Sequence, residues 1–133
     1  MRHRLAFAAV GLLFAASCSR APALSHEKAK GMIASSVAFL EPVEADVRKA
    51  LSYEQGPLGR EILRIEALTL KPDDPFGMAG ETATVVFTWR WTAGPLTGVQ
   101  YRTTAKFHGD GHGWTVYEDL LKRNLRKTIS GEE

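Results

Sequence analysis

Residues 81–92, with the sequence ETATVVFTWRWT, alternate between two kinds of side chain over their whole length. From Ala83 onward every second position is apolar, and the positions between carry mainly threonine. A period of two is that of a β-strand, in which successive side chains point to opposite faces. The stretch therefore predicts a half-buried strand, and the rest of the chain must supply a layer that covers its apolar face. That face consists of Ala83, Val85, Phe87, Trp89 and Trp91.

Three other segments also favour strands. Residues 61–70 (EILRIEALTL) are rich in isoleucine and leucine, but their alternation is blurred, as a β-bulge or burial on both faces would make it. The Pro-, Asp- and Gly-containing segment 71–80 predicts a loop leading to the strand at 81–92. Residues 99–108 then run back, and residues 114–118 form the last strand. Together the segments predict a four-stranded antiparallel meander.

Residues 25–51 carry the spacing of an amphipathic helix. Ser25 suits the N-cap, and Glu27 lies in the first turn, where negative charge complements the helix dipole. Pro42 interrupts the segment, so either one helix kinks there or a second helix begins with Pro42 at its first position. Because the apolar stripe keeps its phase across Pro42, we expect one kinked helix. The stripe consists of Ala29, Met32, Ile33, Val37, Leu40, Val43, Val47 and Leu51.

A short helix is also expected over residues 120–129, with Leu121 and Leu125 facing inward. A kinked helix packed on a four-stranded meander, with a short last helix, is an α+β architecture. Over residues 25–118 the order of elements resembles the cystatin-like and nuclear-transport-factor-two-like folds. The resemblance implies a curved sheet wrapped around a helix. It implies no single function, because such folds host enzymes, ligand binders and adaptors.

The N-terminus has the layout of a secretory signal. Two arginines precede the apolar run Leu5–Ala16, which is too short to span a bilayer and suits the core of a signal peptide. The sequence FAASC then leads to Cys18, the only cysteine. This segment resembles a bacterial lipoprotein signal, with Ala15 where that family prefers leucine. The alternative is an ordinary cleavable signal with a cysteine nearby by chance.

The lipoprotein resemblance implies three parts. Residues 1–17 are a cleaved signal peptide, residues 18–24 are a lipid-anchored tether, and residues 25–133 are a single α+β domain. Acyl chains such as palmitate on Cys18 would hold the mature protein to a membrane of the bacterial cell envelope, facing the periplasm. Ser19 favours the outer membrane over the inner membrane, as it does in enteric-type bacteria.

Charge and cysteine content argue against two classes of protein. The chain has 17 Lys and Arg against 15 Asp and Glu, and Arg2 and Arg4 account for the whole excess. A mature chain that starts at Cys18 is formally neutral, so a general attraction to nucleic acid is not expected. With its one cysteine lipidated, the chain forms no disulfide, and the domain must be stable through its core.

Residues 107–114 (FHGDGHGW) combine features of a metal site and of a β-hairpin turn. The central Asp-Gly is typical of a two-residue turn, and centring the turn on it pairs Phe107 with Trp114. This register places His108 and His112 on opposite faces of the sheet. A zinc ion needs three or four converging ligands. The sequence therefore favours a turn, and we expect no metal site.

Six aromatic residues share the inward side of the predicted sheet. They either line a pocket for a small apolar ligand, between helix and sheet, or form the core that a small domain without disulfides requires. Because only the hydroxyl of Thr103 lies among them, the core is the favoured interpretation. The six residues are Phe87, Trp89, Trp91, Tyr101, Phe107 and Trp114.

The opposite face of the sheet carries threonine and positive charge. On strands two to four, no carboxylate shares this face. Such a face can dock an acidic envelope protein or an anionic polymer, or it is simply solvated. A second cationic cluster can contact anionic head groups or complement a helix C-terminus. The residues of the sheet face are Arg90, Arg102, Lys106 and His108, and those of the cluster are Lys122, Arg123, Arg126 and Lys127.

No catalytic motif stands out in the sequence. It contains no G-x-S-x-G, no glycine-rich phosphate loop and no H-E-x-x-H, and the adjacent Asp73 and Asp74 suit a turn. We therefore expect no enzyme activity and no cofactor. The expected function is that of a non-catalytic binding or adaptor module in the envelope. The alternatives are a carrier of a small apolar ligand in the aromatic pocket and an enzyme whose polar cluster only the fold assembles.

Overall fold

The computed structural model describes residues 22–40, 42–76 and 78–131. The predictions for the signal peptide, for lipidated Cys18 and for most of the tether lie outside the described residues. The helices are α1 (His26–Ala34), α2 (Val37–Leu40), α3 (Pro42–Ala50) and α4 (Glu118–Ser130), and the strands are β1 (Gly59–Pro72), β2 (Glu81–Ala93), β3 (Gln100–Asp110) and β4 (Gly113–Val116).

The four strands form one antiparallel sheet in the order β1-β2-β3-β4, which confirms the predicted meander and the α+β class. The predicted apolar side of β2 is fully buried, while the other side is partly or fully exposed. The helices cover the buried side, where α1 contacts β1 and α4 contacts β3. The core lies between these helices and the sheet, and its largest helical members are Ile33, Phe39, Val43, Leu121 and Leu125.

The segment expected to form one kinked helix forms three separate helices. α1 begins as predicted, because the Ser25 hydroxyl accepts a hydrogen bond of 3.0 Å from the backbone N–H three residues on. The buried Ser36 hydroxyl accepts one of 3.2 Å from the Phe39 N–H, at the start of α2. Such side-chain bonds compete with helix continuation. α3 then begins at Pro42, which is the alternative that the sequence left open.

β1 alternates irregularly because it is bulged. Its pairing with β2 shifts register at three places, at residues 59–60, 62–64 and 65–67. Each shift moves the following side chains relative to the two faces of the sheet, so a simple period of two is lost. This confirms the bulge as the reason for the blurred pattern.

The stretch FHGDGHGW forms the predicted turn, but with a shifted register. Trp114 pairs with Gly109 and not with Phe107. The Asp110 carboxylate accepts a hydrogen bond of 2.8 Å from the His112 N–H, which makes Asp110 the first residue of the turn and not a central one. The glycine that ends the turn has a φ of 123°, a conformation that side-chain-bearing residues rarely adopt.

α4 begins two residues earlier than predicted, and Leu121 and Leu125 are buried as expected. A short chain of hydrogen bonds fastens this helix to the sheet. The indole N–H of Trp89 donates to the Thr103 hydroxyl at 3.0 Å, and that hydroxyl donates to the Thr128 hydroxyl at 3.0 Å. The indole N–H of Trp89 and the two hydroxyls are thereby satisfied inside the core, which fixes the position of α4 against β3.

Candidate functional site

The aromatic residues predicted to form either a core or a pocket lie almost entirely in the core. Phe87, Trp89, Trp91 and Phe107 are fully buried, and Trp114 is nearly so. The rings of Trp89 and Trp91 pack edge to face with their centroids 5.3 Å apart, and Phe39 of α2 packs edge to face against Phe87 and Trp89. These five residues therefore serve the packing of helices on the sheet.

Tyr101 differs from the other five aromatic residues. It is only partly buried, and its hydroxyl accepts a hydrogen bond of 3.3 Å from the indole N–H of Trp91. Its ring also lines a cavity. Tyr101 thus connects the aromatic core with the surface at the start of β3.

The cationic face of the sheet is largely neutralised by β1. Arg90 donates to the Glu61 carboxylate at 2.7 Å, and Arg102 lies 3.2 Å from Glu66. Lys106 has no ion pair within the part of the chain that the structure describes. The positive surplus counted on strands two to four is therefore reduced by carboxylates that the neighbouring strand supplies. Docking of an acidic partner on this face stays a prediction.

The two histidines of FHGDGHGW approach the same carboxylate. His108 and His112 each have a ring nitrogen within 4.0 Å of Asp110, and His108 also lies 3.3 Å from Asp73. The hydrogen bond from the His112 N–H, more than the nearby imidazoles, lowers the pKa of the Asp110 carboxyl. Among the described residues, no three His, Cys, Asp or Glu side chains are grouped so that they could hold a metal ion. The contacts brace the β3–β4 turn and the neighbouring β1–β2 loop.

A cleft of about 660 Å³ opens between α3, α4 and the loop that joins β2 to β3. This volume lies inside the range of about 300–1,000 Å³ that is typical of ligand sites. Asp46 and three cations of α4 lie along it, with Ser130 at one end. Its wall is otherwise apolar and consists of Val43, Val47, Ala50, Leu51, Leu96, Tyr101 and Ile129.

The apolar wall arises because the stripes of two helices continue beyond the core. On α4 the buried Leu125 is followed, one four-residue step later, by the partly buried Ile129. After α3 the same step leads from the buried Val47 to Leu51, which is 44% exposed. The apolar stripe of each helix therefore continues for one residue beyond the buried core. These two residues, Ile129 and Leu51, both line the cleft.

One rim of the cleft is cationic. Arg126 is paired with Asp46 of α3 through a short contact between its Nε and the carboxylate. Arg123 and Lys127 lie four residues apart on α4, and neither has an ion pair among the described residues. An apolar wall beside two unpaired cations is suited to a ligand that combines an apolar chain with a negative charge.

The sequence interpretation found the cations of this site but not the site. It assigned Arg123, Arg126 and Lys127 to lipid head groups or to a helix end, and of the predicted pocket residues only Tyr101 lines the cleft. The available signal was the position of Leu51, an apolar residue placed just after a helix. Whether Leu51 lies in the core or at a cleft depends on where the helices begin and end, and the apolar spacing alone does not determine that.

Arg60 is a further cation at the end of the sheet where the cleft lies, since it pairs with Trp91 near the end of β2. Its two terminal nitrogens are buried and have no hydrogen-bond partner among the described residues. The guanidinium lies 5.0 Å from the ring centroid of Phe39 and 5.4 Å from that of Trp91. Burial lowers the pKa of Arg60 to about 10, although the negative charge of Glu44 acts in the opposite direction and raises it. Arg60 therefore stays charged at neutral pH, and the two rings offset part of its desolvation.

No protein-family model, no curated protein and no solved structure matches the chain. Within residues 22–40, 42–76 and 78–131, no helix combines the length and the apolar character needed to cross a bilayer.

Proposed function

We propose that this chain is a non-catalytic binding module of the bacterial cell envelope, held on a membrane by acyl chains on Cys18, and that its cleft binds a single-chain anionic amphiphile. The observation that carries the ligand is the apolar wall beside Arg123 and Lys127, two cations that have no ion pair among the described residues. The anchor is supported by the sequence FAASC at residues 14–18, where small residues precede the only cysteine.

A fatty acid fits this chemistry better than a neutral apolar molecule does. Its chain would lie against Val47, Leu51 and Leu96, where each CH2 removed from water contributes about 0.8 kcal/mol. Its carboxylate would meet Arg123 and Lys127, and each exposed ion pair contributes about 0.2–1 kcal/mol. After the cost of immobilising a flexible chain, we expect a dissociation constant on the order of micromolar.

The cleft is favoured over both sites that the sequence suggested. The aromatic residues are packed inside the core, so a ligand would have to displace them. On the sheet face, an acidic partner would have to displace Glu61 from Arg90 and Glu66 from Arg102. At the cleft, a ligand can reach Arg123 and Lys127 without displacing a carboxylate of the described residues. We therefore place binding at the cleft.

Calorimetric titration with dodecanoate tests the ligand. We expect the double substitution Arg123→Glu and Lys127→Glu to weaken binding at least about tenfold, since two attractive contacts become repulsive. The matched control is Lys122→Glu with Lys28→Glu, which changes the net charge equally outside the cleft and should change affinity by less than about twofold. If both double substitutions weakened dodecanoate binding equally, the loss of affinity would come from the change in net charge and not from contacts with Arg123 and Lys127. Absence of binding to the unmodified protein would contradict the proposal.

Mass spectrometry of the N-terminal peptide from native membranes tests the anchor. We expect the mature chain to begin at Cys18 and to carry acyl chains there. Substitution Cys18→Ser should move the protein out of the membrane fraction, because no other acylation site of this type is present. An unmodified Cys18 in membrane-bound protein would contradict the anchor.

A further inference from the structure

The loop between β1 and β2 exposes two large apolar side chains. Phe76 is 87% exposed and Met78 is 81% exposed, the highest values for large apolar residues in the described part of the chain. Leu70, near the end of β1, is 47% exposed. Single exposed apolar residues are common, but a group of them at one place on the surface marks a candidate contact site for an apolar partner or a membrane.

This loop is braced by its own carboxylates. Asp74 accepts hydrogen bonds of 2.7–3.0 Å from three backbone N–H groups of the loop. Asp73 accepts one of 2.6 Å from the Thr82 hydroxyl and pairs with His108. These hydrogen bonds restrain residues 76, 78 and 79 before any contact is made, which lowers the entropy lost when Phe76 and Met78 are buried.

The chain enters the domain at the same end of the sheet as this loop. The indole N–H of Trp114 donates to the carbonyl of Pro22 at 2.6 Å. Trp114 pairs with Gly109, Gly109 with Glu81, and Glu81 with Pro72, so these residues form one row across the sheet. With strands about 4.8 Å apart, the row is roughly 14 Å long. We call this row, with the β1–β2 loop and the β3–β4 turn, the entry end.

The tether is too short to separate the entry end from a membrane that holds Cys18. Four residues lead from Cys18 to Pro22, and they span roughly 14 Å when fully extended. The cleft lies at the other end of the strands, because Leu96 belongs to the β2–β3 loop and Tyr101 to the start of β3. The two apolar surfaces of the domain are therefore at opposite ends.

We infer that Phe76 and Met78 insert into the interfacial layer of the bilayer that holds Cys18, so that the cleft is directed away from the membrane. The inference rests on the proposed lipid anchor. Because Asp73 and Asp74 lie beside the tip, insertion depends on apolar contact and not on attraction to anionic lipids. The acyl chains would hold the protein, and the loop would fix its orientation.

Tryptophan substitutions in the full-length, lipidated protein test the orientation. Phe76→Trp places a fluorescent side chain at the loop tip, and Leu51→Trp is the matched control at an exposed leucine of the cleft. Both proteins are reconstituted in phosphatidylcholine vesicles whose acyl chains carry bromine, which quenches tryptophan by contact. After subtraction of the unsubstituted protein, emission from residue 76 should fall by about half or more, as for a group 5–10 Å deep in the interface. Emission from residue 51 should not change.

The outcomes separate the inference from the anchor on which it rests. Protein that floats with the vesicles but shows no quenching at residue 76 overturns the insertion and leaves the anchor standing. Equal quenching at residues 51 and 76 overturns the orientation. Quenching at residue 76 that requires phosphatidylglycerol overturns the apolar mechanism. Unsubstituted protein that does not float removes the anchor, and the inference with it.

Discussion

The two ends of the sheet satisfy their polar groups to different degrees. At the entry end, Asp74 and Asp110 accept hydrogen bonds from the backbone N–H groups of their own loops. At the cleft end, Arg123 and Lys127 have no ion pair, and the terminal nitrogens of Arg60 have no hydrogen-bond partner, within the described residues. Asp74 and Asp110 at the entry end are thus hydrogen-bonded within their own loops, whereas Arg123 and Lys127 at the cleft end remain available to a ligand.

The entry end is also packed more closely than the cleft end. A Cβ added to Gly109 at the entry end would lie 2.6 Å from the ring of Trp114, so no space is left there. The cleft end keeps a cavity of about 660 Å³. Open volume and unpaired charge lower the stability of a domain, so they are expected where a ligand supplies the missing contacts. Closed packing is expected where a domain must keep one orientation.

The largest expected effect tests this contrast in packing. Gly109→Ala should lower the free energy of unfolding by about 1–3 kcal/mol, because the new methyl group overlaps the ring of Trp114. Ala50→Leu adds carbons at the cleft, where there is room, and should change it by less than about 0.5 kcal/mol. Urea unfolding followed by tryptophan fluorescence measures both. Equal costs would show that the ends do not differ in packing.

Arg60 tests whether charge at the cleft end is held at the expense of stability. Arg60→Met should raise the free energy of unfolding at neutral pH by about 1 kcal/mol, because the methionine can fill the same space without a desolvated charge. The exposed Arg64→Met is the control and should have little effect. A lower stability of Arg60→Met would mean that the contacts with Phe39 and Trp91 outweigh the desolvation.

The pH dependence of the same variant gives a second test. Burial lowers the pKa of Arg60 from its ordinary value to about 10, so the unfolded chain binds this proton more tightly than the folded protein does. The free energy of unfolding of the unsubstituted protein should therefore rise as the pH increases through about 10, and the advantage of Arg60→Met should shrink there. Unfolding in urea at neutral and at alkaline pH measures this. A constant difference would contradict the lowered pKa.

Asp46 tests whether the rim of the cleft acts through its charge. Asp46→Asn frees Arg126 from its carboxylate, so the affinity for dodecanoate should rise roughly threefold, while stability changes by less than about 0.5 kcal/mol. Glu27→Gln removes the same charge from the first turn of α1, outside the cleft, and should leave the affinity unchanged. A loss of affinity in Asp46→Asn would mean that the ion pair holds the cleft in shape.

The smallest effect concerns the β3–β4 turn of the entry end. Hydrogen bonding to the His112 N–H lowers the pKa of Asp110, so the stabilisation is fully present above the ordinary pKa of aspartate and is lost as the pH falls through the lowered value. Titration of the Asp110 carboxyl and of the His112 amide by NMR should follow this curve. Asp110→Asn keeps an acceptor for the turn and should abolish the titration of the amide. An unshifted pKa would contradict this account of the turn.

The strands were predictable because their pattern is local. Every second residue from Ala83 to Trp91 points inward, and each one is buried. The helices were less predictable, because the break at Ser36 depends on one hydroxyl that bonds the backbone of Phe39. An apolar stripe keeps its phase whether or not the helix is interrupted, so periodicity alone does not reveal such a break.

The candidate site was less predictable than the fold because it depends on contacts between distant segments. Arg123 and Lys127 are visible in the sequence as cations, but only the packing of α4 beside α3 brings them to Val47. In the same way, strands two to four show no carboxylate beside Arg90, but the pairing of β1 with β2 places Glu61 beside it. Pairing between strands and helices decides which charges remain available.

The most direct test of the two-ended arrangement is an amide NMR spectrum of the lipidated protein in nanodiscs. A nitroxide-labelled lipid should broaden residues of the entry end, such as Phe76 and Met78, and leave the cleft unchanged. Dodecanoate should then shift amides around Val47 and Lys127 and leave the entry end unchanged. Two separate sets of residues are the predicted result. Broadening of the cleft by the labelled lipid, or one shared set of residues, would contradict the account.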